Sequence, residues 1–149
     1  MQQFEYSSLI HAPVVVVWRF HERPDVLDIL TPPWQPVQVV RRQGGLAIGA
    51  LSEFRLFLGP ISTRWLVRHV ECEEFRLFTD VQEQGPFASW RHRHCFKPQG
   101  DKTRLTDSIE YRLALDTLTT PLLGWLIRQQ LESLFRYRHE VTQKECRQW

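Results

Sequence analysis

The run Ser89-Trp90-Arg91-His92-Arg93-His94-Cys95-Phe96 changes chemical character at every residue. A period of two belongs to a β-strand, whose alternate side chains leave opposite faces. Ser89, Arg91, Arg93 and Cys95 share one face, and the two arginines mark it as the wet side. Trp90, His92, His94 and Phe96 therefore point inward. A polar pair inside an aromatic wall predicts a lined cavity rather than a plain apolar core.

Similar runs flank this one. Val37 to Arg42 leads to Gly44-Gly45, Ala50 to Leu58 leads to Gly59-Pro60, and Ile61 to Cys72 follows. Phe75 to Gln84 ends at a Gly85-Pro86 turn, and Ser89 to Lys97 precedes Thr103 to Leu113. Apolar runs broken by Gly, Pro and Asp read as successive antiparallel strands. Arg64 and Arg68 face outward, so Trp65, Val67 and His69 face inward. Glu53 and Arg55 set the same sense for Phe54, Leu56 and Leu58. Around Asp80 and Gln82 both faces mix polar and apolar groups, and alternation alone leaves their direction open.

Before this meander, Phe4 to His11 reads as a first strand. Pro13 suits the first turn of a short helix, and a second runs from Pro24 to Leu30, stopped by Thr31-Pro32-Pro33. The tail is a long amphipathic helix that Thr120 can cap, with Pro121 in its first turn. Leu123, Ile127, Leu131, Leu134 and Tyr137 or Arg138 recur at three- and four-residue steps. The fold class is therefore α+β: a curved antiparallel sheet wrapped around a long C-terminal helix, with two short helices after the first strand. That layout is the helix-grip fold.

Several stretches resemble the START-like (SRPBCC) ligand-binding superfamily, in its polyketide cyclase/dehydrase branch. They are Ile10-x-Ala12-Pro13 with Val17-Trp18-x-Phe20, Leu30-Thr31-Pro32-Pro33, and Phe78-x-Asp80-x-Gln82-x-x-Gly85-Pro86-Phe87-x-x-Trp90-x-His92-x-His94-x-Phe96. Thr103-x-Leu105-x-Asp107-x-Ile109-Glu110-Tyr111 and Leu134-Phe135-x-Tyr137-Arg138 continue the likeness, which covers nearly all of residues 1–149 as one domain. It implies a deep cavity between sheet and helix for an apolar or amphipathic small molecule. It also implies that Phe78, Asp80 and Gln82 face inward.

The bulk numbers fit such a domain. A chain of 149 residues can bury a sizeable core, and a net charge of +2 without any Lys/Arg block gives no case for nucleic acid. Three scattered cysteines without a CxxC spacing suggest neither a disulfide framework nor a zinc ribbon, and fit a reducing cytoplasm. No window approaches the ~20 apolar residues of a membrane span. Six tryptophans and nine phenylalanines supply rings for core and cavity wall alike.

The polar centre comes from two adjacent strands. A two-residue Gly100-Asp101 turn sets His94 opposite Asp107, while a longer loop sets His92 there. Opposed Cβ atoms lie ~5 Å apart, so an Asp–His contact is expected in either register. Trp65, Trp90, Phe96, Tyr111, Leu131 and Phe135 are the expected cavity wall. His92, His94 and Asp107 are the expected polar anchor, with His69, Asp80 and Gln82 beside them. The leading reading is a binder of a small hydrophobic or amphipathic ligand, without a cofactor. In a second reading, His92 or His94 is a general acid/base oriented by Asp107 for proton abstraction or dehydration. A third is a protein-interaction module with a filled core. The His92-x-His94 pair with His69 also matches zinc-site spacing, a weaker reading than either ligand role. His11, His21 and His139 read as surface or helix-flank residues. Trp18, Trp34 and Trp125 read as packing, and Gly85-Pro86-Phe87 as a turn at the cavity rim.

Overall fold

A computed structural model of the chain describes residues 1–58, 60–113 and 120–147, with backbone only at 58 and 120. Strand β1 (Gln2–Ile10) precedes helices α1 (Val14–Glu22) and α2 (Val26–Leu30). Strands β2 (Val37–Gln43), β3 (Leu51–Leu58), β4 (Ile61–Glu73), β5 (Leu77–Gln84), β6 (Phe87–Gln99) and β7 (Lys102–Leu113) follow, and helix α3 (Thr120–Cys146) comes last. The strands form one antiparallel sheet in the order β1-β7-β6-β5-β4-β3-β2. The fold is the helix-grip α+β layout expected from the alternation and the amphipathic tail.

The wet face carries the charges that alternation assigned to it. Arg91 and Arg93 lie 3.1 and 2.9 Å from the Glu71 carboxylate, and Arg41 lies 3.0 Å from that of Glu53. Exposed pairs of this kind contribute about 0–1 kcal/mol each. On the concave face α3 lays down Leu131, Phe135, His139 and Thr142, all buried. Steps of four and three residues put these side chains on one stripe. The Arg128 guanidinium donates to Gln3 O at 2.9 Å and the Gln143 amide to Leu9 O at 3.0 Å, fastening the helix to β1.

Helices α1 and α2 plug one end of the sheet. Four consecutive valines favour a strand locally, yet the segment is helical because Val17, Trp18, Phe20 and His21 share a buried face. Pro13 stands just before the first turn, and its carbonyl accepts from the amides of Val16 and Val17 at 3.0 and 3.2 Å. The Trp18 ring meets those of Phe75, Phe78 and Phe96 at 5.0–6.1 Å, which fills this end solidly.

Two expectations need correction. Strand β5 begins at Leu77 rather than Phe75, because Phe75 sits at φ 65° in the turn after β4. Trp34 and Trp125 are exposed rather than packed, while Trp18 is buried. The capping role of the Thr120 side chain lies outside the described residues.

Candidate functional site

Two transverse rows cross the concave face. His69 on β4 pairs with Asp80 on β5, which pairs with His92 on β6. One step along, Phe78 on β5 pairs with His94 on β6, then Asp107 on β7 and Tyr6 on β1. The register His94↔Asp107 follows from the tight turn at Gly100 and Asp101, where Gly100 takes φ 64°. Antiparallel neighbours share a face, so titratable groups from β4, β5, β6 and β7 come together.

Asp107 is the hub. Its Oδ1 lies 2.7 Å from His92 Nε2 and 3.0 Å from His94 Nδ1, and its Oδ2 lies 2.6 Å from His139 Nε2. Both candidate histidines thus reach it, one directly across and one diagonally. The other nitrogen of His94 lies 3.0 Å from Asp80 Oδ2. His139 reaches back through Nδ1 to Ser8 Oγ at 2.5 Å. One chain of polar contacts therefore runs from β1 through the helix to β5.

Burial makes every charge here expensive unless it is compensated. For Asp107, burial pushes the carboxyl upward, but hydrogen bonds from His139, His92 and His94 outweigh it and hold it well below the usual carboxylate range. Asp80 is also lowered, burial being overcome by the His94 hydrogen bond and nearby imidazoles. His94 is raised despite burial, because each of its nitrogens faces a carboxylate. His92 is lowered by burial and by its charged neighbour His94, and His69 is lowered chiefly by burial. The arrangement assigns the imidazolium to His94 and leaves His92 and His69 neutral.

Around this cluster lies a cavity of about 340 Å³ between sheet and helix. Trp65, His69, Asp80, Trp90, His92, His94, Asp107, Leu131 and Phe135 line it, with Pro86 and Phe87 among the lining residues. A volume in this range belongs to small-molecule pockets, and the interior is not filled. Three expected wall residues lie elsewhere. Phe96 is on the inward face but buried under Trp18. Tyr111 packs with Phe4, Ile109, Leu131 and Phe135, behind the wall. Gln82 spends its amide on the β5–β6 turn, donating to Phe87 O at 2.8 Å and accepting from Phe87 N at 3.3 Å.

Other lining groups were not anticipated as site residues. His139 and His21 are buried, not surface residues, and both line the cavity. Burial lowers His21 to about 4, and its Nδ1 lies 2.8 Å from Val17 O. Arg138 and Arg42 also line the cavity, and the Arg42 guanidinium donates to the carbonyls of His21 and Arg23. Steps of four from Leu131 through Phe135 reach His139, so its position was readable from the helical period. Arg138 was readable only as a member of the stripe.

For a metal, the grouping that could converge is Asp80, His92 and His94, whose ligand atoms lie within 4.8 Å of one another. His69 is not in that group, and its Nδ1 lies 3.2 Å from Leu46 O. An ion there would have to displace the His94 proton that bridges to Asp80. No described helix is long and apolar enough to cross a membrane.

Comparisons with known proteins agree with the helix-grip fold. The family described as polyketide cyclase / dehydrase and lipid transport matches residues 10–135. No curated protein matches the sequence. Among solved structures, a nucleoside-diphosphate sugar epimerase from Corynebacterium glutamicum is similar, with 27% identity and a TM-score of 0.75. That match covers 97% of this chain and 29% of the epimerase chain. The Zhui aromatase/cyclase from a Streptomyces species matches at 13% identity and TM-score 0.75, over 98% of this chain and 93% of its own. A norcoclaurine synthase variant from Thalictrum flavum, in complex with a transition-state analogue, matches at 13% identity and TM-score 0.72. That match covers 99% of this chain and 94% of the synthase.

Proposed function

The chain belongs to the polyketide cyclase/dehydrase and lipid transport family within the START-like superfamily, and on that premise we propose that it holds an apolar or amphipathic small molecule between sheet and helix. The observation that carries this reading is the cavity of about 340 Å³, apolar over most of its wall and polar at Asp80, His92, His94 and Asp107. Such a wall takes up a ligand by burying its hydrocarbon surface, and the few polar groups fix its orientation. Trp65, Trp90, Leu131 and Phe135 supply the apolar wall. Native mass spectrometry of freshly purified protein tests the reading, with a co-purifying small molecule expected. An apo mass alone, with no quenching of tryptophan emission by flat aromatic compounds, would sink it.

A second reading rests on His92. Its Nε2 meets Asp107, and its Nδ1 has no hydrogen-bond partner among the described residues. A neutral imidazole held by a carboxylate is a general base of ordinary design. Two structural neighbours are named as an aromatase/cyclase and a synthase, and a cyclase or dehydratase step on a polyketide-like substrate suits this arrangement. His94, with a carboxylate oxygen 3.0 Å from each nitrogen, would serve as the fixed cation beside it. Loss of turnover with intact binding in His92→Gln supports the enzyme; equal loss of both supports the binder.

A further inference from the structure

Arg138 is a half-buried cation without an acid of its own. It projects from the inner stripe of α3 into the cavity wall, and no ion pair to it exists among the described residues. Its Nε is fully covered and has no hydrogen-bond partner. Its guanidinium carbon lies 5.4 Å from the Phe135 ring centroid, a cation–π position that leaves the planar fork free. Desolvation lowers Arg138 from the usual arginine range, against a smaller upward pull from Asp107 and Asp80.

The neighbouring carboxylates do not supply the missing partner. Asp107 is engaged with three imidazoles and Asp80 with His94, so both are spent within their own network. With His94 as imidazolium, that network of two carboxylates and one cation carries a net charge of −1, and among the described residues none of its acid oxygens lies within ion-pair distance of Arg138. An added anion is therefore met by the guanidinium and not by unpaired acid groups. Arg42 has its guanidinium on backbone carbonyls and does not compete.

We infer that the ligand is an amphipathic acid, whose carboxylate or equivalent oxyanion is received by Arg138 while its apolar body lies against Trp90 and Leu131. This rests on the ligand-binding reading of the cavity and adds the ligand's charge to it. An arginine fork pairs with a carboxylate through two charge-assisted hydrogen bonds, which a neutral head group cannot match.

The test uses 2-naphthoic acid and 2-naphthalenemethanol, which share a ring system and differ in charge. Titration calorimetry on the full chain at pH 7.5 should give at least about tenfold tighter binding of the acid, a preference worth ~1.4 kcal/mol. Arg138→Gln should abolish that preference while keeping the alcohol's affinity within about twofold, and Arg138→Lys should keep part of it. Arg138→Gln should also melt within a few degrees of the parent without ligand, because no ion pair to Arg138 is lost among the described residues. Equal affinity for the two compounds in the parent, or an acid preference surviving in Arg138→Gln, overturns the inference alone. Binding of neither compound overturns the cavity reading and the inference with it.

Discussion

His139 on the C-terminal helix and Asp107 on the last strand lie 2.6 Å apart, Nε2 to Oδ2, both buried. This contact ties the helix to the polar centre of the sheet. It also makes the hub a structural element, whatever the ligand does there.

Asp107→Asn keeps the size of the side chain but removes the charge that three imidazoles share. The amide can accept at one oxygen only, and its NH2 group opposes the remaining imidazole donors. Breaking a buried network by neutralising one partner costs about 3–5 kcal/mol. Urea denaturation at pH 7 should show a loss of about 3 kcal/mol; a loss below ~1 kcal/mol would mean that the histidines rearrange freely.

Acid should weaken the protein well above the pH at which carboxylates protonate. His21 sits near 4 in the folded chain against 6.5 when unfolded, so the unfolded chain takes up the proton first. That difference corresponds to about 3 kcal/mol of stability, present above pH 6.5 and lost as pH falls towards 4. His69 and His92, also lowered, act in the same direction. His94, which is raised, acts oppositely: its contribution is complete below 6.5 and fades as pH rises through its folded value. Asp107 is lost only in stronger acid, because its folded value is depressed. Urea midpoints measured from pH 7 to 4.5 should fall, and His21→Gln should flatten the fall. An unchanged slope in that variant would contradict the assignment.

Gly85 has a packing role rather than a conformational one. A Cβ there would overlap Gln82 Oε1 and Trp65 Cδ1. Gly85→Ala should therefore dislodge the Gln82 amide from the turn and push Trp65 towards the cavity. Overpacking of this kind costs about 1–3 kcal/mol. Thermal denaturation should report the loss, and tryptophan emission should shift with it. A variant with parental stability and emission would show that the turn yields without effort.

Leu131 is buried in the helix face that forms the cavity ceiling. Leu131→Trp can place its extra ring in the empty space without displacing core side chains. Binding of 2-naphthalenemethanol should weaken at least about tenfold while the melting temperature stays within a few degrees. Undiminished binding would locate the ligand elsewhere.

Much of the architecture was legible because alternation and helical period are local signals. The strand faces around Trp90, His92 and His94 needed only a period of two, whereas two registers stayed open until the two-residue Gly100-Asp101 turn selected His94↔Asp107. Depth along a strand is not local, however. Phe96 and Tyr111 have the correct parity for the cavity, yet Trp18 covers one and the Phe4–Phe135 cluster encloses the other. Gln82 likewise points inward and is captured by a turn five residues away. His21 and His139 were missed because a polar residue at a stripe position looks like a flank until the opposing element is known. For His139 that element is β7, where Asp107 waits.

Strand β1 lies beside β7, although five strands and two helices intervene in sequence; Ser7 and Thr106, hydrogen-bonded at 3.0 Å, are 99 residues apart. Closing so long a loop is slow relative to zipping the successive hairpins β2 to β7. During synthesis the meander can form while Asp107 still lacks His139, which follows it by 32 residues. In such a half-made protein the concave face is open, and Asp107 meets water in place of its third imidazole. Docking of α3 is thus the event that completes the polar centre, and stopped-flow refolding should show it in the final, slowest phase.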